Sequence, residues 1–151
     1  MSYFDKALEL VEDSEDFIPT EYYCPAHKLT QGYGRNLEVY PLSEAEKAEL
    51  NEDGSVSEEV AEKWAIEELR ACEVKLLNAP SFKECNDTRK AVLLDMAFNI
   101  GFNGLMKFRK MHQAILNHDW ETAAKEMKDS AWYTQVGRRG KRNYDLMLEG
   151  K

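Results

Sequence analysis

The chain has 151 residues, 43% hydrophobic and 11% aromatic, with only 8 glycines and 4 prolines. That suits one packed domain and excludes a disordered, collagen-like or low-complexity chain. Its 20 basic residues stand against 28 acidic ones, a net charge of −8, which excludes nucleic-acid binding by the surface as a whole, because neutralising phosphates needs a cationic face. Apolar runs such as Ala91-Val-Leu-Leu94 fall far short of the ~20 residues of a membrane helix.

From Ser2 to about Asp16, Phe4, Ala7, Leu8 and Val11 recur at helical steps, predicting an amphipathic helix that Pro19 prevents from continuing. Phe17 to Tyr40 is rich in strand-forming residues (Tyr22, Tyr23, Leu29, Thr30, Tyr33, Val39, Tyr40) punctuated by Pro25, Gly32 and Gly34, the pattern of a small antiparallel sheet of two or three strands. Ser43 with Glu46 three residues on has capping-box spacing and opens a short helix. After the loop Asn51-Glu-Asp-Gly54, Ser57 caps a long helix to about Leu77, with the stripe Ala61, Ala65, Leu69, Cys72, Leu76, and Pro80 closes that neighbourhood. Asn86 or Asp87 caps a segment to Ile100 that is apolar on nearly every side, the mark of a buried central helix; Gly101 ends it and Gly104 marks another turn. Helical patterns follow at Phe108–Leu116, Trp120–Lys128 and about Arg138–Leu148.

These elements make an α+β architecture: an N-terminal lobe over about 14–56 with an antiparallel hairpin, a linking helix over about 57–77, and a helical lobe over about 80–151 that takes in the N-terminal helix. A cleft between lobes is the expected ligand site. The acidic residues are concentrated from Glu38 to Glu73, whereas Arg138-Arg-Gly-Lys-Arg142 is a basic cluster of the kind that is most often a solvated helix face. Cys24, Cys72 and Cys85 are odd in number and lack CxxC spacing, and His27, His112 and His118 lack metal-ligand spacing, so neither a disulfide framework nor a metal or other cofactor is expected. Met-Ser-Tyr-Phe-Asp lacks the charged and apolar regions of a Sec signal, so a cytosolic chain is expected.

The chemistry concentrates between Glu15 and Asn36. A carboxylate at a helix end is followed by Tyr22 and Cys24 at a strand bend, then by Thr30 and Gly32-Tyr-Gly34. Strands folded back over the helix end would let Glu15, Cys24 and Thr30 converge, placing a general acid beside groups able to hold a water or stabilise positive charge. Taken singly, each residue has a plainer reading: a solvated Glu, a small buried Cys, a turn rather than a dinucleotide loop.

The pattern E-x6-Y-x-C-x5-T-x-G-x-G resembles the phage-type lysozymes, the endolysins of glycoside hydrolase family 24, whose members cut peptidoglycan between N-acetylmuramic acid and N-acetylglucosamine. Leu94-Asp-Met-Ala-Phe-Asn-Ile-Gly101 is similar to the family's central helix, and Ser130-Ala-Trp-Tyr-Thr-Gln135 with Val-Gly-Arg-Arg-Gly-Lys-Arg142 to its C-terminal segment. The resemblance implies a lysozyme-like fold and a catalytic set of Glu15, Cys24 and Thr30, with Glu15 as general acid and Thr30 beside the attacking water. It implies Asn99, Arg139 and Arg35 as substrate-binding residues: Asn99 at an N-acetyl group, Arg139 also paired with Glu15, and Arg35 either a substrate contact or a solvated surface cation. Arg142 would brace the helix end, and Trp132, Tyr133 and Phe108 read more readily as core than as a sugar platform. Cys24 stands where some members have Asp, and a thiol of ordinary pKa near 8.5 is a poor substitute for a carboxylate at pH 7. Asp16, His27 and Arg35 replace residues that are commonly Gly, Gly and His; Asp16 next to Glu15 favours the protonated acid by like-charge repulsion. Inverting, retaining and lytic-transglycosylase routes stay open, as does a wall-binding or virion module without turnover. The implied partners are peptidoglycan glycan strands, with no nucleic acid and no stable membrane insertion. A monomer is expected, waiting in the host cytoplasm until a holin releases it.

Overall fold

The computed structural model describes residues 1–151. The chain runs α1 (Tyr3–Ser14), β1 (Phe17–Tyr23), β2 (Leu29–Tyr33), β3 (Arg35–Asn36), α2 (Glu44–Ala48), α3 (Glu58–Leu76), α4 (Pro80–Lys83), α5 (Asp87–Ile100), α6 (Phe102–Met106), α7 (Arg109–Leu116), α8 (Trp120–Lys128), α9 (Ala131–Val136) and α10 (Arg138–Glu149). This is the expected α+β, lysozyme-like arrangement of helices with one small sheet. No helix is long and apolar enough to cross a membrane. The chain divides into two compact units, Val11–Glu68 and Met1–Leu10 with Leu69–Lys151.

The unit Val11–Glu68 is built on the antiparallel sheet β1-β2-β3. Buried Gln31 ties it together, its Nε2 donating to the carbonyls of Pro19 and Gly54 at 2.9 and 3.0 Å. The Tyr33 hydroxyl donates to Glu58 at 2.8 Å, fastening β2 to the start of α3. The capping box at α2 forms as its spacing predicts: Glu46 N donates to Ser43 Oγ and Ser43 N to Glu46 Oε1. Ser57 Oγ accepts from Val60 N at 3.2 Å, and the whole stripe Ala61, Ala65, Leu69, Cys72, Leu76 is buried. This unit holds 16 acidic and 4 basic residues, net −12, whereas the other carries 12 and 16, net +4.

In the second unit α5 is the centre: Ala91, Val92, Leu93, Leu94, Met96 and Ala97 are all at most 1% exposed. Its N-cap is Asn86, whose side chain accepts from Arg89 N. Buried His112 links Ser81 Oγ at 2.7 Å to the Leu105 carbonyl at 2.9 Å. Arg89 donates to the carbonyls of Met147 and Leu148, satisfying acceptors at the end of α10. All three cysteines are free thiols.

Three short helices depart from the sequence reading. Pro80 begins α4 rather than closing a neighbourhood, because at the first helical position proline's missing N–H has no partner to lose. Gly104 lies inside α6, not at a turn; a Cβ there would press on Ile100 at 3.4 Å, so the glycine lets α6 fold closely onto the end of α5. Helix α9, capped by Ser130, occupies a stretch with no periodicity of its own.

Candidate active site

Antiparallel pairing places Tyr22 opposite Thr30 and Phe17 opposite Tyr33, with an irregularity between Ile18 and Tyr22 that bends β1. Cys24 comes just after β1, in a turn closed by Cys24 N donating to the Lys28 carbonyl at 3.0 Å and His27 N donating to the Cys24 carbonyl at 2.7 Å. His27, where glycine is common in the resembled pattern, has φ +60, a left-handed conformation costing a non-glycine residue about 1 kcal/mol. Thr30 is 3% exposed, and its hydroxyl donates to the Lys28 carbonyl at 2.8 Å.

Glu15 follows α1, with its N–H donating to the Val11 carbonyl at 2.8 Å. Its half-buried side chain lies against the β2–β3 turn: a Cβ on Gly34 (φ +69) would sit 2.6 Å from Glu15 Cδ. The second glycine of Gly32-Tyr-Gly34 is therefore both a left-handed turn residue and the space the carboxyl occupies. The first, Gly32 (φ +73), rests on α3, where a Cβ would come 3.1 Å from Ala61 Cβ.

Electrostatics links these groups. Burial raises the Tyr22 phenol above its ordinary value, helped by the negative groups Glu15, Cys24 and Asp16. At half-buried Cys24 burial opposes the thiolate, but hydrogen bonds from the backbone at Lys28 and Ala26 and from the Thr30 side chain outweigh it and lower the thiol. The sequence treats Cys24 as a thiol of ordinary acidity; the turn makes it a better anion. Glu15, Tyr22, Cys24 and Thr30 thus form one constellation within the unit Val11–Glu68.

Arg35 is not a solvated surface cation. Its Nε donates to the Tyr40 carbonyl, Nη1 and Nη2 grip Glu46 at 2.5 and 3.0 Å, and Nη2 also reaches the Pro41 carbonyl. The side chain is 13% exposed and stacks over Trp64 at 5.1 Å, spending the guanidinium inside the unit. Glu46 responds: its hydrogen bonds to Arg35 outweigh burial and bring its carboxyl down to about 2.

The cluster from Arg138 to Arg142 is likewise structural in part. Asp95, 0% exposed, accepts from Arg139 at 3.0 and 2.7 Å, from Arg142 at 3.1 Å and from Asn143 at 2.8 Å. Arg142 also donates to the Leu10 carbonyl of α1 at 3.1 Å. With side chains 7% and 19% exposed, Arg139 and Arg142 are not a solvated face. Asn99 is half-exposed and its Oδ1 accepts from Trp132 Nε1 at 2.7 Å, leaving the Nδ2 donor for a ligand. Trp132 is buried and meets Phe108 edge to face.

The sequence reading missed Asp95 and Glu68. A single acid within an otherwise apolar helix, with an Arg-rich run downstream, was the available signal for the first. Glu68 is a half-buried carboxyl on α3, raised to about 7 by burial, with Arg35 opposing and Glu15 adding to the shift.

Comparison with known proteins agrees with this geometry. The family model described as phage lysozyme matches residues 12–146. Probable T4-type lysozyme 1 of Dictyostelium discoideum is 27% identical over 151 residues, covering 95% of this chain and 87% of its own. Probable T4-type lysozyme 2 of the same organism is 30% identical over 104 residues, covering 69% and 61%. The pre-baseplate central spike protein Gp5 of Enterobacteria phage T4 is 39% identical over 71 residues, 47% of this chain and only 12% of the spike protein. The matched span takes in Glu15, Cys24, Thr30 and the Asp95 network, and the chain belongs to the phage lysozyme family, the lysozyme-type peptidoglycan hydrolases.

Proposed function

We propose that the protein is an N-acetylmuramidase that hydrolyses the β-1,4 bond between N-acetylmuramic acid and N-acetylglucosamine and so lyses a bacterial host. The observation that carries this reading is the Glu15 carboxyl lodged against Gly34 in the same unit as Tyr22, Cys24 and Thr30. Glu15 acts as general acid, protonating the leaving glycosidic oxygen. Cys24, its thiolate favoured by the turn, supplies negative charge toward the developing oxocarbenium ion, and Thr30 helps hold the attacking water. Asn99 offers its Nδ2 donor to an N-acetyl carbonyl. Arg139 serves by holding Asp95 and its own helix in place rather than by touching sugar.

The chain acts as a monomer on glycan strands in the periplasm, after a holin has opened the membrane that confines it. A second reading, lytic transglycosylase, draws on the absence of a carboxylate at Cys24: Glu15 would act first as acid and then as base on the muramyl 6-hydroxyl. The test is Glu15→Gln assayed on purified peptidoglycan. The variant keeps the wild-type circular dichroism and melting and releases no fragments; substantial residual release removes Glu15 from the acid role.

A further inference from the structure

Three of the 4 basic residues in the unit Val11–Glu68 are committed within it. Arg35 grips Glu46, Lys47 pairs with Glu44 at 3.3 Å, and Lys63 pairs with Glu49. The fourth, Lys28, is exposed, and its ammonium makes no hydrogen bond or ion pair. Its backbone, by contrast, is fixed at the centre of the hairpin tip. Pro25-Ala26-His27 forms a three-residue hairpin loop: His27 N donates to the Cys24 carbonyl at 2.7 Å, and His27 takes the left-handed conformation, φ +60, that such a loop needs at its third position. Lys28 then closes the hairpin opposite Cys24, its carbonyl accepting from Cys24 N at 3.0 Å and from Thr30 Oγ1 at 2.8 Å. Further along the same ladder Tyr22 stands opposite Thr30. Opposed residues of an antiparallel pair share a face, and the face repeats every second residue. Tyr22, Cys24, Lys28 and Thr30 therefore stand on one face of the hairpin, with Lys28 at its exposed end.

We propose that Lys28 is a specificity-determining residue: its ammonium binds a carboxylate of the peptide carried by muramic acid, and so favours peptide-bearing glycan strands over uncharged ones. The charge of the unit gives this cation its weight. With 16 acidic residues against 4 basic ones, the unit repels an anionic substrate, and like charges brought together oppose binding. Lys28 sets an uncommitted positive charge beside the groups that work on the sugar, at the end of the face where a side arm of the glycan meets solvent. The left-handed His27 and the two hydrogen bonds to the Lys28 carbonyl hold the base of the side chain in register with Cys24 and Thr30. The flexible stem of a lysine then lets the charge follow a mobile peptide.

This inference rests on Cys24 and Thr30 facing the sugar, and the experiment separates it from the claim of turnover. The probes are soluble glycan fragments bearing their peptides, and the same fragments with every carboxyl converted to an amide. Binding is measured by calorimetry in the Glu15→Gln background, and kcat and KM with Glu15 intact. On the anionic fragments Lys28→Met weakens binding about fivefold, the upper range for one rim ion pair, and raises KM by the same factor with kcat little changed. Lys28→Arg restores both, Lys28→Glu weakens binding further, and the differences shrink as salt rises. On the amide-capped fragments wild type and all three variants bind alike. Lys47→Met, which removes a cation already paired, changes neither series. Wild-type affinity of Lys28→Met for the anionic fragments overturns the proposal, as does a loss that persists on the capped ones, which marks a packing role. A wild type that binds but releases no fragments overturns the hydrolase reading, and the binding series still decides Lys28; a protein that binds neither probe overturns both.

Discussion

Replacing Asp95 by Asn tests the polar centre of the helical unit. Asp95 is 0% exposed and its Oδ2 accepts from Arg139 Nε, Arg142 Nη2 and Asn143 Nδ2, while Oδ1 accepts from Arg139 Nη2. The amide keeps the shape, removes the negative charge that Arg139 and Arg142 share at Asp95, and turns a donor toward donors. Losing one partner of a buried ion pair costs about 3–5 kcal/mol, because the other is left desolvated and uncompensated. Arg142 keeps its bonds to the Leu10 carbonyl and to Asn143 Oδ1, which favours the lower end, about 3 kcal/mol. For a chain of this length that corresponds to a fall in Tm of about 10 °C. Urea unfolding at pH 7, followed by tryptophan fluorescence, measures it directly. Asp129→Asn is the control: its pair with Lys125 is exposed on both sides and its loss costs less than about 1 kcal/mol. If Asp95→Asn unfolds within about 1 kcal/mol of wild type, the network does not hold the unit as argued.

Gly34→Ala forces a non-glycine residue to φ +69 and sets its Cβ against Glu15; fragment release falls by about 100-fold with a loss of only about 1–2 kcal/mol in stability, and near-wild-type turnover contradicts the seat assigned to Glu15. Cys24→Ser keeps a small polar group but little anionic character, so the rate drops at least about tenfold by loss of charge stabilisation; Cys24→Asp recovers it, and an unaffected Ser variant reduces Cys24 to shaping the turn. Glu46 and Glu68 give stability changes of opposite sign with pH. The Glu46 carboxyl, ordinarily 4.5, lies near 2 when folded, so the folded protein binds fewer protons than the unfolded chain in that range; its contribution of about 3 kcal/mol is present above pH 4.5 and lost as pH falls toward 2, where Glu46→Gln and wild type converge. Glu68 is raised from 4.5 to about 7, so the folded state binds the extra proton and its penalty grows as pH rises through that window; Glu68→Gln is more stable than wild type by about 3 kcal/mol at pH 8 and equal to it at pH 4. Guanidinium-free urea titrations across pH check both, and parallel curves refute the assignments.

Features carried by local chemistry were legible before the structure. The capping box at Ser43 and Glu46, the stripe from Ala61 to Leu76, the cap at Asn86 and the apolar α5 depend on neighbours within a turn or two. The motif from Glu15 to Gly34 was legible for a similar reason: a hairpin brings its own residues together. What escaped was long-range or very short. Asp95 meets partners 44 to 48 residues away, and Arg35 selects Glu46 over solvent only once α2 is in place. Arg139 and Arg142, read as part of a charged surface cluster, are tied to the interior by that same distant acid. Helices α4, α6 and α9 span 4, 5 and 6 residues, too few for a helical period to register. Glu68 lay beside the recognised stripe, and periodicity alone does not show that its carboxyl is buried.

Mass spectrometry of the fragments released from purified peptidoglycan tests the central claim most directly. The account predicts fragments ending in reducing N-acetylmuramic acid, released by wild type and absent with Glu15→Gln. Reducing N-acetylglucosamine ends, anhydromuramic ends, or no fragments from well-folded protein would each contradict a muramidase that works through Glu15.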